Sequence, residues 1–136
     1  MLNYFLALPF YVLFPVREAW HTGIVQHLLL TCYPRFETTY RPMSGLDNCF
    51  PSLHTSVSFT FAFVAMRHKY VKLTRVLMVL SVLVLLSTLY LGVHWPIDAA
   101  GGLVLAAFAS GYGFDLIEKY TGRRMPRFAT LRADER

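Results

Sequence analysis

The sequence predicts an all-α fold, a polytopic bundle of transmembrane helices, and three observations carry that prediction. Of the 136 residues, 55% are hydrophobic and only 15% are charged, where soluble domains carry roughly 25% charge; mean hydropathy is positive. The charges are also clumped, leaving long uncharged runs between them. Those runs lack the alternation of strands, and in lipid only helices and closed barrels satisfy every backbone N–H and C=O group. The length fits one membrane-embedded domain over residues 1–136. A net charge of +5 does not make this a nucleic-acid binder, because the basic residues flank apolar runs instead of forming one face of a soluble domain.

Four apolar segments are visible. The first, "LNYFLALPFYVLFPV" (Leu2 to Val16), holds Pro9 and Pro15 and is short against the roughly 20 residues a hydrocarbon core requires, so a tilt or kink is expected. It lacks the basic start and small-residue cleavage site of a signal peptide. Next, "AWHTGIVQHLLLTCY" (Ala19 to Tyr33) reads as a helix lying along the membrane surface. Its His21 and His27 have no carboxylate or cysteine beside them at metal-ligand spacing and read as interfacial polar residues. The second apolar segment is Ser52 to Met66, with Ser52 as its N-cap. The third runs from about Leu73 to Val93, and the fourth from Ile97 to about Ile117. Pro96 marks the start of the fourth, since proline is tolerated in a first helical turn. Cys32 and Cys49 show no CxxC or zinc-type spacing; they read as buried thiols, or as a disulfide where the connecting loop faces an oxidising compartment.

Lysine and arginine counts orient the bundle. The turn between the second and third segments holds Arg67, Lys69, Lys72 and Arg75, and the tail 119–136 holds Lys119, Arg123, Arg124, Arg127, Arg132 and Arg136. The much longer connection 17–50 holds only Arg17, Arg35 and Arg41. The positive-inside rule therefore puts the turn and the basic tail in the cytoplasm, and residues 17–50 with the short "HWP" turn outside. His54 begins the second segment and His94 ends the third, so antiparallel helices bring both histidines to the outer face.

Asp98 follows His94 by four residues, in the first turn of the next helix. An acidic side chain is favoured there by the helix dipole. Its carboxylate is also placed to take the His94 ring N–H, fixing the tautomer and making the other nitrogen more nucleophilic. His54, in the first turn of its helix, lies among free N–H groups that suit an anion near Ser52.

"PSLHTS" followed by "STLYLGVHWPIDAAGG" resembles the type 2 phosphatidic acid phosphatase superfamily of membrane lipid phosphatases and phosphotransferases. Pro51, Ser52 and His54 match that family's P-S-G-H motif, with Leu53 for glycine; Ser87, His94 and Asp98 match S-R-x5-H-x3-D, with Thr88 for arginine. These two departures look more like the inositol phosphorylceramide synthase and sphingomyelin synthase branch, which moves a phospho-headgroup between lipids. The resemblance implies a phosphohistidine at His94, oriented by Asp98, with His54 as acid and then base. It implies phosphate contacts from Ser52, Ser87 and an arginine. The family's first motif, K-x6-R-P, has its counterpart in "RFETTYRP", where Arg35 stands one residue too close and the lysine is missing; Arg41 is the first choice for the clamp and Arg17 the second. No metal or other cofactor is implied, and the sequence has no acidic cluster of the magnesium-binding kind. The expected partners are a lipid phosphate or phospholipid substrate and the bilayer; since the family core has six helices and two N-terminal ones are not visible here, either a second copy of the chain completes the bundle or the chain is a piece of a longer protein. Gly101, Gly102, Gly111 and Gly113 offer small faces for helix contact, between chains or within one. The competing reading is a catalytically inactive membrane scaffold or lipid-binding protein with the same fold.

Overall fold

The computed structural model describes residues 2–14, 16–17, 19–23, 28, 31, 35 and 48–122. Four α-helices are described in the order α1 (Leu2–Leu13), α2 (Leu53–Arg67), α3 (Val71–Tyr90) and α4 (Pro96–Thr121), with a 3-10 turn at Ala19–Thr22. The all-α expectation holds: among the described residues there is no strand. Of the surface helix expected over 19–33, only that turn and the helical residues Leu28 and Thr31 are described. Cys32, His27, Arg41 and tail residues 123–136 lie outside the described residues.

Local chemistry sets the helix limits. Ser52 caps α2 as expected, its hydroxyl accepting from Thr55 N at 3.4 Å. The turn to α3 is tight: Lys69 N and Tyr70 N donate to Met66 O and Ala65 O at 3.1 and 3.2 Å, and Lys69 takes a left-handed φ of 59°. α3 stops at Leu91–Gly92, where Gly92 has a φ of 73° that a side chain would strain. α4 opens with Pro96 in its first position and ends at Gly122, whose N–H bonds Glu118 O at 3.0 Å.

α2 packs against both α3 and α4, and α1 lies across α2 and α4. α1 runs antiparallel to α2, because Asn3 Nδ2 donates to Thr60 Oγ1 at 3.0 Å near one end while the Tyr11 hydroxyl donates to Pro51 O at 2.9 Å near the other. The α2–α4 seam is built from small residues: Ala62 and Ala65 on α2, and Ala99, Gly102, Ala106 and Ala109 on α4, are all buried. Spaced three to four apart, the α4 residues form one stripe that allows close backbone approach. Two of the four glycines serve this contact within the chain. A Cβ on Gly102 would lie 2.6 Å from Ser52 O, and one on Gly101 2.6 Å from the Phe50 ring; Gly111 meets nothing within 4 Å.

α3 and α4 are long and apolar enough to cross a membrane. α3 buries only Ser81 and Thr88 and exposes Val76, Val79, Leu80, Leu83 and Leu86. A continuous apolar face of that kind is insupportable in water and normal in lipid. The chain is an integral membrane protein.

Candidate active site

Three backbone ties converge where α2 begins, α3 ends and α4 begins. Ser52 N donates to Asp98 O at 3.0 Å, fastening the α2 cap to the first turn of α4. Val93 N and His94 N donate to Thr88 O at 3.1 and 3.4 Å, folding the chain back as α3 ends. Cys49 N donates to Val16 O at 2.9 Å. Asn48 reinforces that third tie, its Oδ1 accepting from Val16 N at 2.9 Å and its Nδ2 donating to Tyr11 O. Together with the Tyr11–Pro51 bond, these contacts make the end of α1 a brace for the segment Asn48–Ser52.

His54 and His94 are brought together. His54 Nδ1 lies 3.2 Å from His94 Nε2, with ring centroids 5.5 Å apart and planes at 61°. His54 is exposed and His94 only 7% exposed. Asp98 is fully buried, and its Oδ2 lies 3.7 Å from His94 Nδ1. That separation is too long for a hydrogen bond, so the expected Asp98–His94 bond is not made. The carboxylate instead accepts from Trp95 N at 2.7 Å, half of a capping box at the start of α4. His94 Nδ1 and Asp98 Oδ1 are buried without a hydrogen-bond partner. The arrangement gives one imidazole nitrogen beside a second imidazole, with a carboxylate behind it, at two helix N-termini that favour anions.

Ser52 belongs to this cluster, fully buried and bonded to Asp98 through its backbone. Arg17 is exposed and adjoins Val16, one residue from the brace. Ser87 is exposed in the last turn of α3; its carbonyl accepts from Leu91 N at 2.9 Å. Sequence reasoning missed Cys49 as a neighbour of the site. Its thiol is 1% exposed and donates to Val93 O at 3.4 Å, and one donor atom each from Cys49, His94 and Asp98 all lie within 4.8 Å of one another. Nothing in the spacing 49, 94, 98 signals this. Asn48 and Tyr11 were missed for the same reason, since the contacts that give them a role span 32 to 40 residues. Beside the site, an apolar groove of about 580 Å³ passes between α1 and α4, lined by Leu6, Phe10, Phe50, Pro51, Val104 and Phe108 among others.

Over 58 residues the chain is 47% identical to the putative undecaprenyl-diphosphatase YbjG of Escherichia coli strain K12, a match that covers 43% of this chain and 29% of that relative. The chain thus aligns with under a third of the curated relative's length. No solved structure matches it. The model of the PAP2 superfamily matches residues 7–121, which reach from α1 through α4 and include the paired histidines and Asp98, and the chain belongs to that superfamily.

Proposed function

We propose that the protein removes a phosphoryl group from a lipid phosphate or diphosphate at the outer membrane face, through a phosphohistidine at His94. The observation that carries this reading is the contact between His54 Nδ1 and His94 Nε2 at 3.2 Å, with Asp98 3.7 Å behind the opposite nitrogen. Neither packing nor capping needs two imidazoles and a carboxylate in one line.

In the first step the phosphoryl group enters between the rings and the more exposed His54 moves aside. His94 Nε2 attacks phosphorus, the bond to the leaving oxygen breaks, and His54 gives that oxygen a proton. The His94 ring becomes cationic, and Nδ1–H closes on Asp98 to form the charge-assisted hydrogen bond. In the second step neutral His54 takes a proton from water, whose oxygen attacks the phosphohistidine and releases phosphate. The α2 N-terminus, with Ser52, and a guanidinium hold the phosphoryl oxygens. Arg41 is the first choice for that cation and Arg17 the second, the latter following the residue whose carbonyl accepts from Cys49 N. The lipid chain lies in the groove beside Phe50 and Pro51.

Hydrolysis is favoured over headgroup transfer by the relative's name, which is that of a diphosphatase. A polyprenyl diphosphate is the substrate class of choice, while Leu53 and Thr88 are what favour the transferase branch. Protein in membranes or nanodiscs, given ³²P-labelled lipid phosphates and diphosphates, tests both points. The expected result is an acid-labile phosphoprotein absent from His94→Ala, with phosphate release unchanged by added alcohol acceptors. Labelled headgroup appearing on an acceptor alcohol would make the protein a transferase. Full turnover by His94→Ala would remove the assigned nucleophile.

A further inference from the structure

We propose that Cys49, His94 and Asp98 form a binding site for a thiophilic divalent cation of the zinc class, and that its occupation inhibits the enzyme by engaging the nucleophile. The inhibitory part rests on the function proposed above; the binding part does not.

Geometry gives the first argument. Tetrahedral zinc takes sulfur at about 2.3 Å, imidazole nitrogen at about 2.0–2.1 Å and carboxylate oxygen at about 2.0–2.2 Å, which sets donor atoms about 3.3–3.7 Å apart. His94 Nδ1 and Asp98 Oδ2 are already 3.7 Å apart, too far for a hydrogen bond and only about 0.2–0.4 Å wider than a nitrogen and an oxygen on one zinc ion. The donor atoms of all three residues lie within 4.8 Å of each other, so closing the set on one ion needs a shift of about 1 Å or less.

Unmet bonding gives the second. His94 is 7% exposed and Asp98 fully buried, yet His94 Nδ1 and Asp98 Oδ1 have no hydrogen-bond partner. Buried polar atoms are nearly always satisfied, and each such exception calls for a cause. A cation held by His94 Nδ1 and Asp98 Oδ2 would satisfy the imidazole nitrogen, and a carboxylate turned to share that ion through both oxygens would satisfy Oδ1 as well.

Charge and softness define the ion. On binding, the Cys49 thiol releases its proton to solvent and becomes a thiolate ligand. Thiolate and carboxylate then balance a 2+ ion exactly where an unbalanced charge would be most costly, and His94 stays neutral. A sulfur, nitrogen and oxygen set suits zinc or cadmium and not magnesium or calcium. Three protein ligands leave a fourth position open to water or a phosphoryl oxygen. With the metal on Nδ1, the ring no longer carries the N–H that Asp98 stabilises, and His94 cannot serve as nucleophile.

Cobalt(II) is the probe, because thiolate ligation gives a near-ultraviolet charge-transfer band that reads the site without any turnover. Purified wild-type protein in detergent or nanodiscs should develop the band on cobalt addition and lose it to stoichiometric zinc. Cys49→Ser should abolish it and Cys32→Ser should leave it. Asp98→Asn, which keeps the thiol, should retain the band with cobalt bound roughly 10–100-fold more weakly, the range typical of altered metal surroundings. Zinc inhibition, scaled to each variant's own metal-free rate, should need at least roughly tenfold more zinc in Cys49→Ser. The proposal is overturned if wild type gives no band, or if the band survives Cys49→Ser, or if Cys32→Ser is what removes it. A protein showing the band but no turnover keeps the metal site and sinks the phosphatase reading. Turnover that zinc inhibits equally in wild type and Cys49→Ser does the reverse.

Discussion

α3 and α4 are both long and apolar enough to cross a bilayer, and they are used in opposite ways. α3 buries two residues, Ser81 and Thr88, and turns its valines and leucines outward. α4 is interrupted by aspartate, glycines and serine, and it buries Asp98, Ala99, Gly102, Ala106, Ala109, Ser110 and Phe114. In a membrane the large apolar side chains face lipid, and small or polar ones mark where helices meet. The more apolar of the two helices is therefore the less informative one, and the candidate site sits at the head of the more mixed one.

Substitutions at the two helices should separate sharply. Removing the proposed nucleophile has the largest expected effect: His94→Ala should lower phosphate release at least about 10³-fold while the protein still inserts, measured as initial rates on a lipid phosphate panel. Asp98→Asn keeps an acceptor for Trp95 N and removes the charge behind His94, so kcat should fall roughly 10²–10⁴-fold with little change in thermal stability. Gly102→Ala drives a methyl group against Ser52 O, 2.6 Å away, and Thr55; overpacking of this kind costs about 1–3 kcal/mol, and a lowered melting temperature with reduced kcat is expected. Tyr11→Phe deletes one hydrogen bond to Pro51, worth about 1 kcal/mol, and should slow turnover several-fold without altering membrane insertion. Smallest of all, Val79→Ala and Leu83→Ala on the exposed face of α3 should leave kcat within about twofold, because their large side chains meet lipid. If the α3 pair matched Gly102→Ala in effect, α3 would have a hidden partner and the contrast would fail.

Much of the site is legible in the chain before any coordinates. Hydropathy and proline placement locate α2, α3 and α4 to within a few residues, and antiparallel succession alone brings His54 and His94 to one end. Ser52 as a cap follows from its position before an apolar run. What the sequence does not reveal are contacts between distant segments. Cys49 approaches His94 with Asn48 and Val16 holding its segment there. Asp98 is expected to serve His94, yet its Oδ2 accepts from Trp95 N, a local backbone donor three residues away that competes for the same oxygen. The four α4 glycines look alike in sequence, and only Gly101 and Gly102 meet a neighbour closely, because α2 crosses α4 at that level. Arg41 and most of the segment 19–33 fall outside the described residues, and Arg17 is exposed, so the phosphate-holding cation rests on the motif alone.

The far end of the α2–α4 pair has its own fastening. Arg67, 8% exposed, reaches Ser110 O through Nη1 at 3.5 Å, and its guanidinium lies 4.5 Å from the centre of the Phe114 ring. With Ser52 N bonded to Asp98 O at the near end, the two helices are riveted at points separated by about 22 Å along α2 and about 18 Å along α4, at 1.5 Å per residue. A pair pinned top and bottom behaves as a door frame and not as a door. On the proposed function, a long lipid tail would reach the histidines not by parting this pair but from the side where α1 flanks the groove.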